Sequence, residues 1–315
     1  MFDTLLSMSA LPLLFTSYNS WGTSLNLLFF YITWSTLLLS HPPIKVELIG
    51  TALIRVLFYW LPTVLFLFFD VAIPSLSRSI KLQGVRGLGQ GRGGAKALHR
   101  LKVVAWSLVN MILGIAVQGA IEYLFTEILG RKSALRIARV LPMPGELLWG
   151  VLRGVLLREV SQYYIHRFLL HDDGYLARAH KSWQHSISAP WSAVAHYDHP
   201  VAYVLGRVLP CYLPAVIFRF HLLTWFLFVA VVSVEEVTTF SGYSAVYSML
   251  GGATRRTDLH FETDGEGNFA PWGLLDWIHG TTVGNDIKDD VEEELELQEE
   301  RRERRRSRLR GKKRD

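Results

Sequence analysis

The sequence predicts an all-α membrane protein: a multi-span helical bundle with a cytoplasmic, histidine-rich helical cap. Three observations lead there. From Thr4 to Pro43 there is no Asp, Glu, Lys or Arg, ample for a helix crossing a hydrocarbon core roughly 30 Å thick. Half of the 315 residues are hydrophobic and the mean hydropathy is positive, which sets the chain apart from ordinary soluble domains. Six of its eleven histidines fall between His166 and His199, directly after a long apolar stretch.

The elements follow in order. The first turns carry no Lys or Arg, so the basic start of a cleaved signal peptide is missing and the amino terminus is expected to stay as an anchor. Spans are predicted near 22–40, 50–73, 103–125 and 146–165, followed by a hairpin near 201–240. Val103–Ile121 is a full-length uncharged run, while Val56–Phe69, Val208–Phe218 and Leu222–Val234 are shorter and bounded by charges such as Arg55, Arg207 and Arg219. Lipid forces the backbone polar groups of such runs to bond within the segment, hence helices. Pro42 and Pro43 break the first pair, and Pro142 and Pro144 precede the fourth span.

Charge is distributed unevenly. Ser75–Lys102 holds Arg78, Lys81, Arg86, Arg92, Lys96, Arg100 and Lys102 without one acid. Beside spanning segments this reads as a cytoplasmic loop instead of a nucleic-acid patch. Counting spans from it puts the 166–199 histidines and the carboxyl terminus on the cytoplasmic side too. Arg131, Lys132, Arg136 and Arg139 would then face the lumen, so either that stretch lies along an interface or one short span is miscounted. The tail is acidic over Asp286–Glu300 and basic over Arg301–Arg314, the pattern of solvated helix or disorder. Its Lys312-Lys313-Arg314-Asp315 ending resembles a dilysine retrieval signal of the endoplasmic reticulum. The domain layout is therefore 1–145 for amino-terminal helices with the basic loop 75–102, 146–284 for a catalytic region, and 285–315 for a charged tail.

Imidazole suits Fe, Zn, Cu and Ni, and the single Cys211 leaves neither a disulfide nor a thiolate site. The histidine run therefore reads as a polynuclear metal site at the membrane surface. His166/His171 and His180/His185 are each five apart and share no face of a regular α-helix. They can reach one site through a π-bulge or where a helix ends between them, and Asp172-Asp173-Gly174 after His171 favours the second route. His196 and His199 are three apart and can share a face. His41, His99 and His221 stand alone and read as ordinary histidines, with His260 and His279 intermediate. Asp172, Asp173, Glu159 and Asp198 are candidates to orient ligand imidazoles. Glu235 and Glu236 end an apolar run and mark a functional position or an interfacial one.

The order of a spanning helix, YYIHRFLLH, AHKSWQHSISAP and HYDHP, then VEEVTTFSGYSA and RRTDLHFETDGEGNFAPWGLLDWIHGT, resembles the sterol desaturase and fatty acid hydroxylase superfamily of membrane di-iron enzymes. The C-4 methylsterol oxidase-like branch is the nearest in pattern. The likeness implies three histidine boxes holding two irons. His166 and His171 match the first box. His180 and His185 match the ends of the second, with Gln184 at the inner position. Only His260 remains of the third, with Thr257 and Phe261 at the other two positions, and Phe240 stands before Ser-Gly-Tyr where related enzymes often place histidine. His196 is extra, and His199 or His279 offers a further imidazole. The ligand set implied is His166, His171, His180, His185, His196, His199 and His260.

That resemblance implies an O2-dependent oxygenase that hydroxylates or desaturates a membrane lipid or sterol-like substrate. Its electrons would come from cytochrome b5 and an NAD(P)H-dependent reductase. The missing ligands keep an alternative in play, a non-catalytic relative acting as scaffold or lipid-binding subunit. A proton or metal transporter is disfavoured because the histidines cluster in one region instead of spreading through several spans.

Overall fold

The computed structural model describes residues 21–84, 94–243 and 252–284, and every regular element among them is helical. The chain before Trp21, the Gly-rich centre of the basic loop (85–93) and the whole tail from 285, with its terminal dilysine, lie outside the described residues. The chain is an all-α, multi-span membrane protein.

Helix α1 is Trp21–Ser40. The next helix, α2, runs Pro43–Ala72 and begins earlier than the predicted span. Pro43 sits in its first turn, where the missing N–H costs nothing. Glu47, which looks from sequence like a boundary, is buried and accepts a hydrogen bond from Gln118 Nε2 at 2.7 Å. At ~1.5 Å per residue α2 is about 45 Å long, more than a bilayer core needs.

After the short α3 (Pro74–Ile80) come α4 (Gly94–Tyr123) with a terminal π turn Leu124–Ile128, and α5 (Pro144–Ile165). α6 (Tyr175–Trp183) and 3-10 turns at Gln184–Ser186 and Ser192–His196 lead to α7 (Pro200–Ile217) and α8 (Leu222–Thr239). α9 (Ala253–Glu262) and α10 (Leu274–His279) complete the described chain.

Among the described residues, four helices are long and apolar enough to cross a membrane: α2, α4 from Leu98, α7 and α8. α5, predicted as a span, is long enough but is not one of them, because Arg153, Arg158 and Glu159 interrupt it. Its pattern is inverted relative to a soluble helix. Leu148, Leu152, Leu156, Val160 and Tyr164, four apart, are exposed, while Arg158, Glu159 and Gln162 are buried. An exposed apolar ridge over a polar buried face suits lipid outside and helices inside.

Two prolines explain two π turns. Pro62 and Pro210 follow the turns Val56–Trp60 and Val204–Val208. A proline within a continuous helix has no N–H for the carbonyl four residues back, and the wider turn absorbs that defect. The central helix is α8, which packs on α5 and α2. Gly150 and Gly154 of α5 let it approach closely: a Cβ would lie 2.6 Å from Thr224 Cγ2 and 2.8 Å from Phe220 Cζ respectively. This is the small-residue spacing that membrane helices use to bring backbones together.

The bundle has two distinct ends. The stretch 129–143 folds back on the α7–α8 turn: Arg136 N donates to Phe220 O and Leu222 N to Arg136 O, while Trp34 Nε1 donates to Ala138 O. Its basic residues thus belong to an end that packs against the body of the protein. At the other end Ser77 Oγ and Tyr243 Oη lie 2.9 Å apart, so the described part of the basic loop is on the same side as the last turn of α8. Lys81 does not present its charge to a partner there, for it is buried in an ion pair with Asp70 at 2.7 Å.

Candidate metal centre

α5 leaves its regular form in a π turn, His166–Leu170. Hydrogen bonding from i to i+5 brings residues five apart nearly into line, so the imidazole centroids of His166 and His171 are 4.7 Å apart. The second pair is reached by the other route. α6 stops at Trp183, a 3-10 turn redirects the chain, and His180 and His185 lie 5.2 Å apart. Each five-residue spacing thus has its own solution; the Asp-Asp-Gly helix stop proposed for the first pair gives way to the π turn. His260 enters from α9, 4.8 Å from His166 and 4.9 Å from both His171 and His185.

Hydrogen bonds fix which nitrogens point inward. His166 Nδ1 lies 2.7 Å from Phe269 O and His260 Nδ1 2.6 Å from Gly267 O. A carbonyl only accepts, so each Nδ1 carries the proton and each Nε2 presents a lone pair. His180 Nδ1 meets the buried Asp198 carboxylate at 2.7 Å, with the same consequence. Yet His166 Nε2 and His180 Nε2 stand 3.3 Å apart, and His171 Nε2 is 3.2 Å from His166 Nε2. The Nε2 of His260 is buried without a hydrogen-bond partner, as are both ring nitrogens of His185, whose Nδ1 lies 3.8 Å from Asp264 Oδ1. Facing lone pairs in a dry site repel unless a cation lies between them.

Burial, reinforced by the neighbouring rings, also favours the unprotonated form a metal requires at His166, His171, His185 and His260. It pushes His185 down to about 2 and His260 to about 4, the latter partly offset by the Gly267 carbonyl, and it lowers His166 and His171 as well. The ligand atoms of His166, His171, His185 and His260 lie within 4.8 Å of one another. Two ligands across one ion at bonds of about 2.1 Å are at most roughly 4.2 Å apart, so a small inward shift brings these donors onto a single metal ion.

The other expected ligands sit elsewhere. His196 Nδ1 is 2.7 Å from Tyr203 Oη and its Nε2 faces Glu236 Oε2 at 3.3 Å. His199 accepts from Val201 N at the start of α7. His279 stacks on Tyr163 and meets Tyr164 Oη. Of the four acids, only Asp198 touches a clustered imidazole among the described contacts; Asp172 accepts from its neighbour's N–H and Glu159 from Trp272 N. Glu235 and Glu236 are buried in an ion network with Arg158 and Arg55.

One glycine guards the site. Gly265 has φ +84°, and a Cβ there would lie 2.0 Å from His171 Cε1. Gly265→Ala is expected to swing His171 away, since the ring gives more readily than the backbone. The expected result is at least about tenfold weaker metal binding in a chelator competition with the helical circular dichroism kept; unchanged affinity would show that His171 does not ligate.

Residues 151–281 match the fatty acid hydroxylase family model, a stretch that contains the whole cluster. That stretch is similar to a fatty acid hydroxylase domain. Over 163 residues the chain is 31% identical to methylsterol monooxygenase 1-1 of Arabidopsis thaliana, covering 48% of this chain and 53% of that protein. It is 28% identical over 156 residues to a very-long-chain aldehyde decarbonylase of Oryza sativa subsp. japonica, covering 46% and 50%. The chain spans about half the length of the curated relatives it matches. No solved structure matches it. The matched stretch thus begins on α5 and ends just past α10, and the clustered histidines come from both of its halves.

Proposed function

We propose that this protein is a membrane-bound non-haem iron oxygenase that uses O2 to hydroxylate or desaturate a lipid or sterol-like substrate. The observation that carries the reading is the set of buried imidazoles whose Nδ1 atoms are tied down and whose Nε2 atoms converge, within a stretch similar to a fatty acid hydroxylase domain. In hydroxylation one oxygen atom enters a C–H bond and the other leaves as water; in desaturation two hydrogens leave with both oxygen atoms reduced to water. Either outcome takes two electrons and two protons besides those from the substrate, the electrons from a carrier, for which cytochrome b5 with an NAD(P)H-dependent reductase is the natural class. Iron bound among the histidines would supply the activation of O2 needed to break an unactivated C–H bond.

The protein's own contribution is positional. Asp198, Phe269 O and Gly267 O hold three imidazoles in one tautomer and orientation. The burial of His180, His260 and Phe269 keeps bulk water away. A small cavity between the spanning helices is lined by Met111, Ile115, Tyr203 and Arg207. Arg207 also lines a second cavity that contains His166 and His260, which supports a route for an apolar substrate from the bilayer to the histidines. In this reading residues 1–145 anchor the protein, 146–284 form the catalytic region and 285–315 a solvated tail, with the site and tail facing the cytoplasm at the endoplasmic reticulum.

The test is product formation in microsomes expressing the protein, read by mass spectrometry of extracted sterols and acyl lipids. A gain of one oxygen or loss of two hydrogens is expected, absent in His166→Ala and in His180→Ala at equal protein level. Full turnover in either variant would overturn the assignment. Gln184, Phe240, Thr257 and Phe261, which offer no imidazole, favour one second reading, a scaffold or lipid-binding subunit. It predicts purified protein without metal.

A further inference from the structure

The four positions at which the resemblance expects histidine come together in space. Gln184, Phe240, Thr257 and Phe261 line one small cavity, together with His166 and His260. Beyond those two clustered histidines, the lining offers no imidazole, thiolate or carboxylate. Aromatic rings fill the metal side instead: Phe261 stacks on His185 at 5.3 Å with an interplanar angle of 21°, and Phe240 packs against Phe261 at 5.8 Å.

The charge in this cavity has the wrong sign for a cation. Arg207 is the charged residue lining it, with its guanidinium 5.0 Å over the Phe240 ring and its Nη1 without a partner. A guanidinium stays protonated throughout the physiological range, and repulsion between like charges is only weakly screened away from water. An ion placed here would have to share His166 or His260 with the first site, gain no other strong donor, and sit beside a fixed positive charge. The donor set on the other side is complete for one ion and shows the facing lone pairs that one ion would resolve.

Resting on the iron-oxygenase reading above, we propose that the centre is mononuclear. One iron is held among His166, His171, His180, His185 and His260, and the cavity beside it lined by Gln184, Phe240, Thr257 and Phe261 holds no second iron. The two readings fail differently, because a metal count distinguishes none, one and two.

The experiment uses the full-length chain, expressed in iron-replete cells without a polyhistidine tag and purified in detergent. Iron is counted by inductively coupled plasma mass spectrometry after loading with Fe(II) and desalting. The ferrous protein is then treated with nitric oxide and examined by electron paramagnetic resonance. One iron per chain, with the half-integer-spin signal of an isolated ferrous nitrosyl and no iron–iron scattering in X-ray absorption, is expected. Two irons per chain, or an iron–iron vector, would overturn the mononuclear centre while leaving the oxygenase reading intact. No retained iron would overturn both. The variant Gln184→His/Thr257→His/Phe261→His is expected to raise the count towards two. If that variant fails to fold, the wild-type count and spectrum decide alone.

Discussion

Arg158→Met is expected to destabilise the protein by about 3–5 kcal/mol, the range for breaking a buried ion pair from one side. Arg158 is 1% exposed on α5, and its Nη1 lies 2.7 Å from Glu235 Oε1 on α8, with Nη2 3.8 Å from Glu236 Oε1. Glu236 is paired separately with Arg55 of α2 at 2.6 Å. Two arginines and two glutamates thus balance inside the bundle and tie three helices together. Removing one guanidinium leaves an uncompensated carboxylate among apolar helices, where neither water nor another cation can reach it cheaply. The measurement is thermal or denaturant unfolding in detergent micelles, followed by circular dichroism. The double variant Arg158→Met/Glu235→Gln removes both charges and is expected to recover most of the loss. A single variant as stable as wild type would show that the pair contributes no net stability.

This network shows what the sequence could and could not reveal. Glu235 and Glu236 stand out in the chain because acids at the end of an apolar run are costly. Their partners do not, since Arg55 and Arg158 lie 181 and 77 positions away; read alone, Arg55 looks like a span boundary and Arg158 falls inside a predicted span. The helical membrane architecture was legible because lipid imposes a local rule, an uninterrupted apolar run, that each segment obeys by itself. α5 breaks that rule with its buried charges and was legible only through its length and its proline start.

The histidines divide in the same way. Density along the chain drew attention to His166, His171, His180 and His185, and four of the five clustered rings are local. Density equally favoured His196, but its ring nitrogens are engaged by Tyr203 and Glu236, which only packing determines. His260 had to be carried across from α9, and motif order, not proximity, pointed to it. The π turn at His166–Leu170 has no side-chain signature, so a five-residue spacing did not say how it would be closed. Of four acids proposed as supports, the structure selects Asp198, because Asn110 Nδ2 donates to the carbonyls of His196 and Asp198 at 2.9 and 2.8 Å and so pins that segment against α4.

Asp198→Ala is expected to weaken iron binding by about 10–100-fold, the usual cost of losing a hydrogen-bond partner behind a ligating histidine. The Asp198 carboxylate is 4% exposed and has two tasks: Oδ2 receives His180 Nδ1, and Oδ1 accepts the His199 backbone N–H at 2.7 Å. Its charge makes the imidazole a stronger donor to a metal, and its position keeps Nε2 turned towards His166. Asp198→Asn separates these contributions. The amide can still accept from Nδ1 through its oxygen but carries no charge, so an affinity between alanine and wild type is expected. The reading is the Fe(II) dissociation constant from chelator competition, beside the unfolding midpoint of the metal-free protein. Asparagine has a single acceptor oxygen, so once it serves His180 its Nδ2 faces His199 N, and both variants lose that second acceptor. A fall in the midpoint of the metal-free protein therefore reports the structural task, and a fall in affinity at an unchanged midpoint reports the electrostatic one. Equal affinity across all three proteins would mean that His180 is held by its neighbours and that Asp198 serves only the loop.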